Sequence, residues 1–432
     1  LHAGQMPIFV QQDEASKSYT PGPIEAGIWH VELGIAAVGP VGATWEVEIT
    51  CRDDVAIAPP PAPDPVDPLH VARDEPGWYH GDFHMHGFHS NPGAADPLDP
   101  DDGFVAQALA AGLDFLMITE YVVGRHWDEL GHVQEAKPDL LIWPGREVIT
   151  YFGHVNVHGE TPEVLEYRHG FEDVHIKKDI QVPVNTLHPE ALFQVNHPTI
   201  FPGPVFQNFC RGCEFTLRDE IDWDLVDTIE VVTGPTVARS TDIGLPALPG
   251  QIQNPFIQTA IDLWEDLLME GHKITAVSGS DSKGVDAPAE RPRVGYGSSA
   301  TAVYAEKLSR AALTAAIRAG HAYVRTRGVA ASPELGFEVT TKDGQSGTFG
   351  DAVMADAAKL RVGVTGGAGQ VLRYVANGLP VFHVPILSDD FTHELPATRL
   401  FPEGPLGTFW RIETLDQDAL TAIGNPVFLR GE

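Results

Sequence analysis

From Trp78 to about Arg327, short apolar runs of strand length alternate with stretches whose apolar residues recur at helical spacing. That is the pattern of an α/β fold with parallel strands. The predicted strands end near His86, Thr119, Glu147, His197, Val232, Ser280 and Tyr304. Predicted helices cover Asp101–Ala111, opened by Asp99-Pro100-Asp101, then Pro255–Glu270, then Leu308–Ala319, which stops at Gly320. The flanks read differently. Residues 1–57 hold strand-like runs at Gly27–Ala36 and Ala43–Cys51 with turn residues between them, which predicts a small β unit. Residues 58–69, Ala-Pro-Pro-Pro-Ala-Pro-Asp-Pro-Val-Asp-Pro-Leu, can form neither helix nor central strand and predict an extended linker over 58–77. Beyond Arg327, alternation returns in Glu334–Thr340, Lys359–Val364, Val371–Ala376, Thr408–Leu415 and Pro426–Leu429. The expected division is thus 1–57, 58–77, 78–327 and a β-rich, sandwich-like 328–432.

The predicted strand ends carry the candidate chemistry. His84 and His86, one residue apart on a strand, point to the same face and can offer two imidazoles to one metal ion. Glu147, His154, His197 and Asp281 each follow an apolar run in the same way. In βα-barrels that rim is where catalytic groups gather, and a mixed imidazole and carboxylate set suits Zn, Mn or Fe better than Ca or Mg. A lone His-x-His is more often structural or incidental; the set in order is what points to a metal.

Charge and cysteine usage narrow the partners. Sixty Asp and Glu against 28 Lys and Arg leave a net charge of −32, a field that repels polyanions and excludes nucleic acid or an anionic membrane as the expected partner. A small-molecule substrate fits better, and a homo-oligomer stays open. No apolar run nears the roughly 18 to 20 residues that span a bilayer, and no signal-peptide pattern opens the chain, which begins at Leu1. Cys210-Arg-Gly-Cys213 has the spacing of half a zinc site, yet no second pair exists among the 3 cysteines. Structural thiols or a local disulfide are the better reading, with metal or redox work as the alternative. The odd count leans toward a reducing, cytoplasmic compartment, and a mature secreted or periplasmic form stays open.

Several segments together carry a resemblance. Gly81-Asp82-Phe83-His84-Met85-His86, Ile118-Thr119-Glu120-Tyr121 after Gly112-Leu113-Asp114-Phe115, Pro144-Gly145-Arg146-Glu147 with Gly153-His154-Val155-Asn156, Asn196-His197-Pro198, Ile229-Glu230-Val231 and Gly279-Ser280-Asp281-Ser282 occur in this order. In that order the chain resembles the PHP (polymerase and histidinol phosphatase) domain superfamily over residues 78–327, and in layout its carbaryl-hydrolase-type branch. The resemblance implies an α/β fold with a distorted (β/α)7 barrel, a metal cluster at its mouth, and flanking N- and C-terminal β-rich segments. It implies one metal on His84, His86 and Asp281, a bridging Glu147, and a second metal on His154 and His197. A third site is expected to be lost, because Thr-Asp-His reads Thr119-Glu120-Tyr121, Asp-x-His reads Asp281-Ser282-Lys283, and the further histidine falls near Pro92. Two divalent ions (Zn, Mn or Fe) are therefore expected, with Tyr121 and Lys283 in the vacated position as hydrogen-bonding groups for a developing oxyanion.

The implied function is a metal-dependent hydrolase in which a hydroxide activated by two metals cleaves an ester-type bond, preferably of an aryl carbamate or carboxylic ester. A small phosphate mono- or diester is the alternative, and a non-catalytic binding module the remote one. Around the ligands, His89 reads as a loop histidine or an extra donor, Asp82 and Asn196 as orienting groups or turn structure, and Arg146 as an ion-pair partner of Glu120 or a substrate contact. Glu230 reads better as structural than as a group behind a ligand. His126, His132, His158, His169, His175 and His188 are expected on solvated or substrate-facing loops. The segments Val157–Leu192 and Gly234–Pro255 are candidate pocket loops, and Phe201, Phe206, Phe209 and Trp223 a candidate apolar wall.

Overall fold

The computed structural model describes residues 7–16, 19–31, 41–54, 58–59, 61–90, 95–121, 124–159, 191–203, 210, 212–240, 249–284 and 294–431. The fold is mixed α/β, rich in sheet and poor in helix. Its backbone is one long sheet path. Strands β1 (Gly77–Met85), β2 (Phe115–Tyr121), β3 (Leu141–Ile149), β4 (His154–His158), β5 (Leu192–Val195), β6 (Thr228–Thr233) and β7 (Thr275–Gly279) are neighbours in chain order. All seven are almost wholly buried, as strands covered on both faces are. The pairs β1–β2, β2–β3, β5–β6 and β6–β7 are parallel, whereas β4 runs against both β3 and β5. The start of β4 therefore lies at the same rim as the ends of the other six. At that rim the residues after β7 return to β1: Asp281 N–H donates to the His84 carbonyl at 2.7 Å and His86 N–H to the Ser282 carbonyl at 2.9 Å.

From its other edge β1 continues through antiparallel β8 (Ala300–Ala305) and β9 (Ala322–Arg325). After β10 (Glu334–Thr341) and β11 (Ala357–Thr365), the chain adds β12 (Val371–Ala376), β13 (Leu379–Pro385), β14 (Asp390–Thr398), β15 (Thr408–Asp416) and β16 (Ala419–Gly424). The long path runs on as β9–β16–β15–β12–β13, while β10, β11 and β14 belong to a separate sheet. The two enclose a core of Phe337, Leu360, Val362, Tyr374 and Ile412. The sheet thus crosses residue 328 without a break. A buried Asn425 ties the crossing down, accepting from Ala276 N–H at 2.8 Å and donating to the Ala276 and Ala322 carbonyls at 3.1 and 2.9 Å.

Among the described residues five α-helices pack on this frame: α1 (Phe104–Ala110), α2 (Gly131–Ala136), α3 (Pro255–Glu270), α4 (Arg310–Ala319) and the single turn α5 (Gly328–Ala331). Helix α3 carries its start and stop signals in sequence. Asn254 caps Phe256 N–H at 3.1 Å, Pro255 opens the first turn, and Gly271 ends it with φ 108°. Its apolar stripe, including Ile257, Ile261, Trp264 and Leu268, is buried in the core beneath β6. The outer end of the helix is held to the C-terminal layer by a buried Arg411, bonded to Glu265 and to Glu413 at 2.5 Å each.

Two expectations for the N-terminal segments can be followed only in part, because 32–40 and 55–57 lie outside the described residues. Among the described residues of 1–57 there is no strand beyond an isolated bridge between Val10 and Ala15, and 43–51 is exposed and unpaired. Alternation there finds no partner edge and no surface to cover. The Pro-rich segment is extended as expected, but it is docked: Asp64 accepts from Gly131 N–H at 2.7 Å through its carbonyl and from His132 N–H at 2.8 Å through its carboxylate, at the start of α2.

Candidate metal centre

The rim collects the six residues expected as ligands. His84 and His86 close β1, Glu147 sits near the end of β3, His154 starts β4, and His197 and Asp281 follow β5 and β7. His197 and Asp281 both have positive φ, 28° and 48°, which turns each side chain back over the strand ends. Donor atoms of His84, His86, Glu147 and Asp281 lie within 4.8 Å of one another, as do those of Glu147, His154 and His197.

The separations test whether a metal would fit. Bonds of about 2.0–2.2 Å at tetrahedral angles put donor atoms roughly 3.3–3.6 Å apart. His84 Nε2 lies 3.5 Å from both Glu147 Oε1 and Asp281 Oδ1, and His86 Nε2 lies 3.4 Å from Glu147 Oε2. Within this first set the shortest separation, His86 Nε2 to Asp281 Oδ1 at 2.9 Å, is a hydrogen bond. His84 Nε2 and both nitrogens of His154 are buried without a hydrogen-bond partner, which is costly unless something else binds them. Glu147 faces both sets, with Oε1 3.2 Å from His154 Nδ1 and 3.7 Å from His197 Nε2. The residues fit two divalent ions sharing one carboxylate.

Charge is arranged accordingly. Burial opposes the His84 imidazolium, but Glu230, Glu147 and Asp281 outweigh it and hold its pKa well above the ordinary value. Burial likewise opposes ionisation of Glu147 and Asp281, yet the facing imidazoles, and Lys283 beside Asp281, keep both carboxyls well below the usual carboxylate range. Both are anionic and ready to bind a cation at neutral pH.

Behind the ligands, Glu230 does what the sequence reading had set aside. Its Oε2 accepts from His84 Nδ1 at 3.1 Å and from His197 N–H at 3.0 Å, so a carboxylate fixes the tautomer that leaves Nε2 free for a metal. His197 Nδ1 meets the Cys213 carbonyl at 3.2 Å in the same manner. Asp82 touches no imidazole. It accepts from the backbone N–H of His84, Ser280 and Gly297 at 3.1, 2.9 and 3.0 Å, pinning three rim segments together. Asn196 lies one layer below, donating to Asn156 Oδ1 at 2.8 Å and accepting from Gln194 at 3.0 Å, while Asn156 donates to the Phe83 carbonyl at 3.1 Å.

The described residues expected around a lost third site bond elsewhere. Glu120 takes His89 N–H at 3.1 Å and Ser90 N–H at 2.7 Å, and belongs to none of the donor groups among the described residues. The His89 ring turns to Glu129 at 2.6 Å. The Tyr121 hydroxyl donates to the Ser90 carbonyl at 3.0 Å, Lys283 Nζ donates to Asp281 Oδ1 at 2.7 Å and lies 5.8 Å from the Tyr121 ring centre, and Arg146 lies over the Trp127 ring.

His126 and His158, expected on solvated loops, are fully buried, bonded to the Gly145 carbonyl at 2.8 Å and to Gln194 Oε1 at 3.2 Å. Their neutral rings fill the space under the site. A period-two signal was present in His154, Asn156, His158 on β4 and Gln194, Asn196 on β5: polar positions sharing one face inside apolar strands. His132 is exposed as expected, whereas His169, His175, His188, Phe206, Phe209 and most of Val157–Leu192 lie outside the described residues. Trp223 is core. Cys210 and Cys213 form a disulfide with Cα atoms 5.5 Å apart, and Cys51 is free and exposed.

No family model and no curated protein matches the chain. Among solved structures it is similar to a two-domain protein containing a predicted PHP-like metal-dependent phosphoesterase from Bacteroides vulgatus, with 16% identity and a TM-score of 0.40 over 84% of this chain and 98% of that one. A likeness that slight carries no weight beside the geometry. No helix among the described residues is long and apolar enough to cross a membrane.

Proposed function

We propose that this protein is a metal-dependent hydrolase holding two divalent ions, one on His84, His86 and Asp281 and one on His154 and His197, with Glu147 between them. The reading extends to the rim-forming strands as one barrel closed at Asp281 and Ser282. The observation that carries it is the Glu147 carboxylate, whose two oxygens face four imidazoles at 3.2–3.7 Å. Bound ions would supply a Lewis acid for the substrate oxygen and a water acidic enough to attack at neutral pH.

The chain's own groups do the rest. Glu230 and the Cys213 carbonyl hold His84 and His197 in the ligating tautomer. Lys283 stays an ammonium, because Asp281 outweighs the burial that would neutralise it, and it is proposed to meet the oxygen on which negative charge builds, with Tyr121 beside it. A carboxylic or carbamic ester of an aryl alcohol is the proposed substrate class, favoured by the net charge of −32, which opposes a phosphate dianion. The same ligands serve a phosphoester equally well.

Elemental analysis should find about two metals per chain, falling in His84→Ala. Turnover of 1-naphthyl acetate or a naphthyl carbamate, absent in that variant, would support the ester reading. Turnover of a nitrophenyl phosphate alone would replace it with phosphoester hydrolysis. Full activity in Lys283→Ala would remove Lys283 from the reaction.

A further inference from the structure

The Cys210–Cys213 disulfide lies against the second ligand set. Its sulfurs and a ring nitrogen of His154 are within 4.8 Å of one another. Cys213 is buried and Cys210 half-buried, so Cys210 is the more open of the two to an attacking thiolate. The segment is also fitted to the site. Gly212, at φ 81°, lies so close that a Cβ there would stand 1.9 Å from the Thr150 carbonyl oxygen, and Phe215 N–H donates to the Pro198 carbonyl at 2.9 Å. His154 Nδ1 lies 3.2 Å from Glu147 Oε1 and neither ring nitrogen has a hydrogen-bond partner, so the ring can serve either Glu147 or the sulfurs.

We propose that reduction of Cys210–Cys213 creates a second kind of metal position, His154–Cys210–Cys213, for a thiophilic divalent cation such as Zn²⁺ or Co²⁺. A dithiol reductant attacks Cys210 Sγ and releases Cys213 as the leaving thiolate. Its second thiol then displaces Cys210, leaving two cysteine thiols and one reductant disulfide, a transfer of two electrons and two protons. Cation binding releases the two thiol protons to solvent. Two sulfurs and one imidazole are a borderline-soft donor set, with a fourth position left for water. His154 belongs to both sets, so the redox state of this loop sets which donors the cation near His154 sees. The inference holds whichever bond the protein cleaves.

Cobalt is the probe. Protein reduced with dithiothreitol and desalted should show a thiolate-to-cobalt charge-transfer band on Co²⁺ addition, saturating near one equivalent, and oxidised protein should show none. Cys51→Ser should keep the band and Cys213→Ser should lose it. Capping the reduced thiols with iodoacetamide should abolish it in the wild-type chain, which decides the matter if the serine variant does not fold. Reduced protein with all 3 cysteines titratable but no band overturns the proposal, as does a band that survives in Cys213→Ser. Metal loss in His84→Ala reports on the carboxylate site separately.

Discussion

Replacing Glu230 by glutamine separates charge from hydrogen bonding at the back of the site. Glu230 Oε2 accepts both the His84 Nδ1 bond at 3.1 Å and the His197 N–H bond at 3.0 Å, while Oε1 has no partner. A glutamine carbonyl can take the Oε2 position and keep both bonds, with its amide nitrogen in the place of Oε1, so Glu230→Gln removes the charge and little else. Groups placed behind metal-bound imidazoles typically set metal affinity by about 10–100-fold, roughly 1.4–2.7 kcal/mol. Zn²⁺ affinity measured by chelator competition should weaken by that factor, while urea unfolding of the EDTA-treated variant stays close to wild type. Glu230→Ala should do both kinds of damage, because two buried donors then lose their acceptor at about 1–3 kcal/mol each. If Glu230→Gln bound Zn²⁺ within about twofold of wild type while Glu230→Ala merely unfolded more easily, Glu230 would be an acceptor of the fold and the argument that it tunes His84 would be wrong.

Gly279 ends β7 against β1, and a Cβ there would lie 2.3 Å from His84 Cβ and 2.8 Å from its backbone nitrogen. Gly279→Ala should cost at least about 1–3 kcal/mol and displace His84, seen as a lower melting temperature with loss of bound metal; normal metal content would contradict the close approach. Arg411→Ala strands Glu265 in the interior and leaves Glu413 to Arg373 alone, and the urea midpoint should fall by the equivalent of about 3–5 kcal/mol. Unchanged stability would show that these carboxylates find other partners. His126, buried and neutral, has its pKa lowered to about 4 by burial. A depressed imidazole adds stability that is complete above its unfolded value near 6.5 and is lost as pH falls toward 4, roughly 3 kcal/mol in all. In EDTA, His126→Gln should flatten the decline of unfolding free energy across that window by this amount, and an unaltered slope would mean that the ring is protonated in the folded state.

Strands β1, β3, β5 and β7 were legible because each is a mostly apolar run with a polar residue at or just beyond its end, and α3 matched its predicted bounds because cap, proline and terminal glycine are all written locally. Strand β4 was not legible as a strand. His154-Val-Asn-Val-His158 alternates, but its polar positions Asn156 and His158 meet Asn196 and Gln194, partners far along the chain. For the same reason Glu230 read as a structural carboxylate: only the fold brings β6 beside β1's end through β7. The exposed runs of 43–51 show the converse, since alternation alone makes no strand without a surface to cover.

The unbroken ladder across residue 328, with Asn425 bridging β7 and β9, bears on how the molecule can be cut. Expression of residues 78–327 alone would strip β16 from β9 and leave a bare strand edge, while unpinning β7, whose end positions Asp281. The half that carries the candidate metal centre and the C-terminal layer are therefore not interchangeable modules. They should melt in a single calorimetric transition, and a graft of one onto a foreign partner would have to reproduce the asparagine as well as the sheet.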